Sequence, residues 1–352
     1  GFLALPGLEK LDRSQFSITC YANQIGGDEY TERFQSLSDR WRPVAHLSDE
    51  HLASLIREDR IDILIEMAGH AAGHRLPVVS RRVAPDQIKW IGGQFNTMGI
   101  ETMDYFLSDP VESPPEHDDL YFERIHRLPS VYACYEPPTD APDVSPLPAS
   151  ANGHLTFGSL NKLNKIGSKT AALWSRCLKA VPDSRLLLQS EPFEDPNNVE
   201  RAHALFSAQG IDPARITCRG FTPHPELFLS YHDIDIALDP HPYSGCLTTC
   251  EALWMGVPVI TLPGPTFAGR HSASFLTAVG LSDWIANDED HFVELAARRC
   301  ADLPALSDIR QKLRHQMSQS PLCDTALFGR DLGQALREMW NESIAEHEKE
   351  AA

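Results

Sequence analysis

The chain reads as an α/β protein with parallel sheets, and three observations predict it. From residue 17 onward, short apolar or β-branched runs alternate with segments of helical period. Several of those runs are continuously apolar rather than alternating, as strands covered on both faces are, and Ile61 to Met67 (IDILIEM) is the strongest. No internal repeat and no low-complexity tract interrupts the pattern, so solenoids and fibrous arrays are excluded. The length of 352 residues fits about two domains.

The elements follow in chain order. Ser17 to Ala22 reads as a strand, and Ser48 caps a helix that carries Leu52, Leu55 and Ile56 on one face. Ile61 to Met67 and Gln87 to Gly92 (QIKWIG) are further strands of this first lobe, residues 1–136. Pro137, Pro138, Pro142, Pro146 and Pro148 lie among Asp and Ser, a composition that holds neither helix nor central strand, so residues 137–150 read as a linker. A second lobe, residues 151–352, resumes with a strand at His154 to Phe157 and a helix striped by Trp174, Cys177, Leu178 and Val181. Arg185 to Gln189, Arg215 to Cys218, Ile234 to Leu238 and Pro258 to Leu262 are its further strands. Leu332, Ala335, Leu336, Met339 and Trp340 stripe a helix that closes this lobe. The chain opens at Gly1 and runs at once into Phe2, Leu3, Ala4 and Leu5, like the middle of an apolar element; it therefore reads as a fragment whose first lobe lacks its first strand.

Composition narrows the function. A formal charge of −18 and no clustered excess of Lys and Arg argue against nucleic acid as a partner, so any phosphate site is small and local. No stretch approaches the roughly 20 apolar residues of a membrane helix, and the amino terminus has no signal-peptide pattern. The expected location is the cytoplasm, without membrane partners. Eight scattered cysteines form no C-x-x-C pair, which points to reduced thiols rather than a zinc ribbon or a disulfide framework.

Open α/β sheets bind anions where strands end and helices begin. The second lobe offers two such places. After the strand at 154–157 comes Gly158-Ser159-Leu160-Asn161-Lys162-Leu163-Asn164-Lys165, small and amide residues with two lysines, which suits a phosphate. After Ile234 to Leu238 comes Asp239-Pro240-His241-Pro242-Tyr243-Ser244-Gly245-Cys246-Leu247-Thr248-Thr249-Cys250-Glu251. Here Gly245, Thr248 and Thr249 at a helix start would face a pyrophosphate, with Glu251 one turn in, where a carboxylate accepts from ribose hydroxyls. The same residues read equally as a plain helix cap with a solvated carboxylate. Neither a P-loop nor G-x-G-x-x-G occurs. Asp233 and Asp235 form a D-x-D pair, but they flank a buried strand, and metal binding is not expected there. His70 and His74 follow the strongest strand of the first lobe, where either a catalytic base or an ordinary loop histidine could sit.

Taken together, these residues resemble the catalytic region of the O-GlcNAc transferase and SPINDLY family of glycosyltransferases. The resemblance rests on Ile56 to Leu64, Ala68-Gly69-His70, Ala84-Pro85-Asp86-Gln87 with Trp90 and Gly92, Met103-Asp104-Tyr105, Thr156 to Asn161 with Lys165, Ala237-Leu238-Asp239 through Trp254, and Thr261 to Gly264, all in order. It implies two facing Rossmann-like lobes of GT-B type and a metal-independent, inverting transfer of a sugar to Ser or Thr of a protein, with no cofactor. It further implies that Lys165 neutralises the leaving diphosphate, a charge that must be met if no metal meets it. By the same resemblance Ser159, Asn161, Gly245, Thr248 and Thr249 line the phosphates and Glu251 the ribose. Phe221 to His224, with Thr222 and His224, lie at the base, Gly264 and Arg270 near the sugar, and His70 near the acceptor. Cys246-Leu247-Thr248 stands where members using UDP-GlcNAc carry His-Thr-Thr and the SPINDLY branch a threonine run. The expected donor is UDP-GlcNAc, with GDP-fucose or a non-catalytic sugar-nucleotide-binding remnant as alternatives. The loop Gly92 to Gly99 replaces the family's Gly-Tyr-Pro segment, and Gly1 corresponds to the glycine of a His-x-x-Gly motif. Tetratricopeptide repeats are expected upstream in the full-length protein, to select protein acceptors.

Overall fold

A computed structural model describes residues 1–92 and 96–350. Its contacts divide the chain into two compact units, residues 1–136 with 321–352, and residues 137–320. No helix among the described residues is long and apolar enough to cross a membrane.

The first unit holds six strands among its described residues: β1 Thr19–Ala22, β2 Arg40–Pro43, β3 Ile63–Glu66, β4 Asp86–Lys89, β5 Tyr105–Ser108 and β6 Arg124–Arg127. All pairings are parallel, but β1 bonds only to β2, while β3, β4, β5 and β6 form a separate sheet in that order. A cavity of about 840 Å³ runs between β1 and β3, lined among others by Ile18, Cys20, Ile63, Ile65 and Trp340. Ser48 caps the helix Asp49–Glu58 as expected, and Leu52 and Ile56 are buried on its inner face.

One expectation is corrected here. The closing helix, Thr325–Glu350, belongs to the first unit, not to the second. Its buried Phe328, Leu332, Ala335, Leu336 and Met339 pack with Ile88, Trp90, Tyr105 and Leu107 of β4 and β5 and the residues beside them. The stripe was legible because an apolar face must be buried, but periodicity carries no information about which sheet buries it.

The second unit's sheet runs β11–β10–β7–β8–β9, entirely parallel, with β7 Thr156–Ser159, β8 Arg185–Gln189, β9 Ile216–Arg219, β10 Ile236–Leu238 and β11 Val259–Ile260. Gly158 in β7 is required by close approach, since a Cβ there would lie 2.3 Å from the Ile234 side chain. The expected linker is also corrected: residues 137–150 are grouped with the second unit and pinned to it. Arg310, fully buried, donates to the carbonyls of Ser145, Tyr231 and Ile234, and Arg314 donates to the Pro142 carbonyl at 2.6 Å. Proline-rich chain forms neither ladder nor helix, but its carbonyls remain acceptors, and here those of Pro142 and Ser145 are each met by an arginine.

Candidate functional site

The site grows from the carboxyl ends of β7 and β10. After β7 the chain turns through Leu160 to Lys162 and a single 3₁₀ turn, Leu163–Lys165, before the helix Ser168–Ala180. That turn sends the Lys165 side chain back across the sheet edge. Its ammonium donates to the Ser244 carbonyl at 2.6 Å and to Asn161 Oδ1 at 3.3 Å, and lies 4.1 Å from the centre of the Tyr243 ring. Burial lowers the Lys165 pKa below the usual lysine value, while the nearby Asp239 pulls it back up. The result is a desolvated cation with carbonyl and amide oxygens as partners, which strengthens its pull on any anion that replaces water beside it.

After β10, residues 239–246 form a loop held from beneath by Asp239, whose side chain is fully buried. Asp239 Oδ1 accepts from the Gly245 N–H at 2.6 Å and Oδ2 from the Thr261 hydroxyl at 2.6 Å. Burial raises the Asp239 pKa; its bonds from Thr261, Gly245 and Ser272 and the charge on Lys165 oppose that rise. A Cβ at Gly245 would come within 2.5 Å of Thr249 Oγ1 and 3.0 Å of both Asp239 Oδ1 and Thr248 Oγ1. Only glycine therefore lets the loop close over the helix start. The helix Leu247–Trp254 begins here with Cys246 as its N-cap and ends where Gly256 takes a φ of 75°.

Most of the expected phosphate residues are brought together. Asn161 bridges Lys165 and Thr248, accepting from the Thr248 hydroxyl at 3.2 Å and donating to Ser159 Oγ at 3.3 Å. Thr249 behaves differently from its neighbour: it is buried, and its hydroxyl is bonded to Ser272 Oγ at 2.8 Å, so it ties this helix to the helix His271–Val279. His271 is also buried, and burial together with the charge on Lys165 pushes its pKa down to about 3, leaving it neutral. Arg270 Nη1 reaches the Gly264 carbonyl at 3.4 Å, so these two lie together at the loop's far side.

A second group lies beside the first. Glu251 is not solvated: its side chain is 3% exposed, Oε1 lies 2.8 Å from His224 Nε2, and Oε2 accepts from the Tyr231 hydroxyl at 3.4 Å. The bond to Glu251 raises the His224 pKa above its ordinary value. His224, 40% exposed, is thus the accessible end of the pair. Thr222 accepts from Gln189 Nε2 at 2.8 Å, which fixes the 221–224 segment to the end of β8.

The D-x-D pair is structural. Asp235 accepts from the backbone of Ala149 and Thr156, and Asp233 pairs with Arg219.

His70 lies in the first unit. It is exposed on the turn after β3, and its Nε2 is 3.2 Å from the Met98 carbonyl. Of the loop singled out at 92–99, residues 93–95 lie outside those described. Sequence reasoning missed Asp239 as an organiser, Ser244 as the main partner of Lys165, and Tyr231 beside Glu251. An acidic residue directly after an apolar strand was the available signal for Asp239.

Comparison with known proteins gives the family and the fold. The family model described as glycosyl transferase family 41 matches residues 3–136 and 146–332. A protein of Solanum lycopersicum described as a probable UDP-N-acetylglucosamine–peptide N-acetylglucosaminyltransferase SPINDLY is 37% identical over 340 residues, 94% of this chain and 36% of that protein. A probable transferase of the same description from Arabidopsis thaliana, SEC, is 28% identical over 94% of this chain and 34% of its own length. The chain thus spans little more than a third of the curated relatives it matches. The structure of a mutant of the Thermobaculum terrenum O-GlcNAc transferase superposes with a TM-score of 0.92 at 37% identity, covering 97% of this chain and 65% of that one. Anabaena HepE in complex with UDP and glucose, at 12% identity and a TM-score of 0.57 over 95% of both chains, shares the fold alone. The α/β class of GT-B type with parallel sheets, expected from the sequence, is the observed one.

Proposed function

The chain belongs to glycosyl transferase family 41, and from that premise we propose that it transfers a sugar from a nucleoside-diphosphate donor to a hydroxyl of a protein, with UDP-GlcNAc as donor and Ser or Thr as acceptor. The observation that carries the reading is Lys165. A diphosphate leaves with its negative charge growing as the bond from the anomeric carbon to its oxygen breaks, and preorganised positive charge lowers that barrier. Lys165 offers it from a desolvated position, beside the Thr248 hydroxyl at the start of the helix Leu247–Trp254, whose N-terminal dipole adds to it. Neutral His271 beneath does not compete for the anion. On the Glu251 side, the exposed His224 edge contacts the nucleoside, and Glu251 holds the imidazole. Inversion follows when the acceptor oxygen attacks the anomeric carbon from the face opposite the diphosphate and gives up its proton. His70 is assigned beside that acceptor hydroxyl. No cofactor is required, and the work is cytoplasmic.

A second donor, GDP-fucose, is kept because Cys246-Leu247 takes the place of the His-Thr that accompanies UDP-GlcNAc in the family. Calorimetric titration with UDP, UDP-GlcNAc, GDP and GDP-fucose separates the two. Binding of the uridine compounds alone, weakened by about 1.5–3 kcal/mol in Lys165→Ala, is the expected result. Guanosine preference moves the donor to GDP-fucose. Sugar-nucleotide binding without transfer to any peptide by the full-length protein makes it a binding remnant, and no binding at millimolar concentration overturns the site.

A further inference from the structure

The sheet of the first unit is interrupted where an α/β core is normally most continuous. β1 and β3 are both parallel to their outer partners, each bonds on one side only, and the cavity of about 840 Å³ lies between them. Protein interiors leave few voids larger than a water molecule, so a space of this size calls for an occupant. Burial registers the gap as well. β4 and β5 are buried throughout, whereas every residue of β1 and β3 is only partly so, although β3 comes from the strongest apolar run in the sequence.

The backbone on both sides is set out for a ladder. The carbonyls of Ile18 and Ala22 accept from the Arg40 and Val44 N–H groups, and those of Asp62 and Glu66 from Asp86 and Trp90 N–H, so the even-numbered residues here bond outward. In a parallel ladder alternate residues turn both their N–H and C=O to the same neighbour, which aims those of Thr19, Tyr21, Ile63 and Ile65 into the cavity they line. Apolar side chains wait on both faces: Phe34 and Leu336 on the side where Ile63 and Ile65 pack, Leu52 and Ile56 on the side where Leu64 packs.

The path of the chain says what fits. Gly1 lines the same cavity and lies against the ring of Tyr30, in the helix Glu29–Leu37 that follows β1, and so stands at the carboxyl end of the strands. From there the chain runs through the helix Leu5–Leu8, with Ala4, Leu8 and Leu11 in the core, to Ile18 at the amino end of β1. Such a return is the second part of a crossover between parallel strands, and the first part is a strand whose carboxyl end lies beside Gly1. Counted as first, that strand makes the order β2, β1, insert, β3, β4, β5 read third, second, first, fourth, fifth, sixth, the order of doubly wound sheets.

We propose that the gap between β1 and β3 is a strand-docking slot, and that its occupant is the segment of the full-length protein immediately preceding Gly1: about five apolar residues parallel to both edges, followed by a short connection to Gly1. Bonded on both sides and covered on both faces, that segment is a continuous apolar run rather than an alternating one. The slot lies within the first unit, and the inference does not rest on the donor site.

Hydrogen exchange resolved to single amides, on the full-length protein and on residues 1–352, tests it. The amides of Thr19, Tyr21, Ile63 and Ile65 should exchange at least about tenfold more slowly in the full-length protein, at a rate independent of protein concentration. A second arm replaces about a dozen residues ahead of Gly1, the length of a strand and its connection, by a flexible Gly-Ser linker and leaves the rest of the upstream chain in place. Those four amides should then return to the rates of residues 1–352. Equal rates in the full-length and short chains overturn the proposal. Protection that survives the linker gives the slot to another occupant, and protection that grows with concentration gives it to a second copy; either result overturns the proposal too.

Discussion

Lys165 and His70 are held by opposite means, and the difference matches the separate roles proposed for them. In the second unit the Lys165 ammonium is largely withdrawn from water and seated against the Ser244 carbonyl and Asn161, a setting of low dielectric in which a charge acts more strongly on an anion. In the first unit His70 stays exposed, with buried Glu123 and Lys89 and the partly buried Glu66 in the elements around it. The sheets differ in parallel: that of the second unit is one ladder of five strands, whereas that of the first is split between β1 and β3. The desolvated cation is built on the continuous sheet, the exposed histidine on the interrupted one.

The sharpest way to break this comparison is to damage one unit and watch the other. Trp90 is fully buried in the first unit, donates its indole N–H to the Tyr132 carbonyl at 2.8 Å and stacks on Phe328 of the closing helix with ring centres 5.9 Å apart. Trp90→Ala should destabilise that unit by about 3–5 kcal/mol, the range for a large aromatic removed from a core. Denaturant melts should show a transition shifted to lower concentration while UDP affinity, assigned above to the second unit, stays within about twofold of wild type if the two regions are energetically independent. An affinity that collapses with the melt would mean that the Lys165 site depends on the first unit's core.

How much of this was legible varies with the kind of signal. Arg185 to Gln189 was read to the residue, and IDILIEM contains β3, because buried parallel strands announce themselves as apolar runs. β2 (Arg40–Pro43) and β6 (Arg124–Arg127) escaped notice, since their arginines mask the pattern. In the fold those charges are answered by Asp59 and Glu346 from elsewhere in the chain. The same limit applies to the sites. Lys165, Asn161 and Thr248 lie in loops after strands and could be named, but Ser244 reaches Lys165 across 79 positions and Glu123 reaches Met98 across 25, and no local pattern encodes such pairs. Closing the second lobe with the last helix failed for the same reason.

A smaller effect tests the pair that lies beside the Lys165 group. His224 has a raised pKa because it gives a hydrogen bond to buried Glu251. A group whose pKa is higher folded than unfolded adds stability that is complete below its unfolded value, near 6.5, and disappears as pH rises through the folded value. Melting temperatures of the wild type and Glu251→Gln should therefore differ most near pH 6 and converge by pH 9. With His224 40% exposed, solvent screening keeps the difference modest. A gap that widens as pH rises would reverse the sign of the linkage and remove the ion pair from the account.

The finest distinction concerns the two sheets. β7 and β8 each have hydrogen-bonded neighbours on both sides, whereas β1 and β3 each bond on one side and face the cavity on the other. An amide facing that space has no ladder acceptor, and the surrounding strand lacks the second row of bonds that resists local opening. Native-state hydrogen exchange should therefore place Phe157 and Leu186 to Leu188 among the slowest amides of the chain, and those of Thr19–Ala22 and Ile63–Glu66 among the faster strand amides, by roughly tenfold or more. The apolar content of IDILIEM argues the other way, because Ile63, Leu64 and Ile65 would make a slow strand if burial alone governed opening. Equal protection in β3 and β8 would mean that side-chain packing, not ladder completeness, sets the local stability of these sheets, and the contrast between a continuous and an interrupted platform would lose its energetic content.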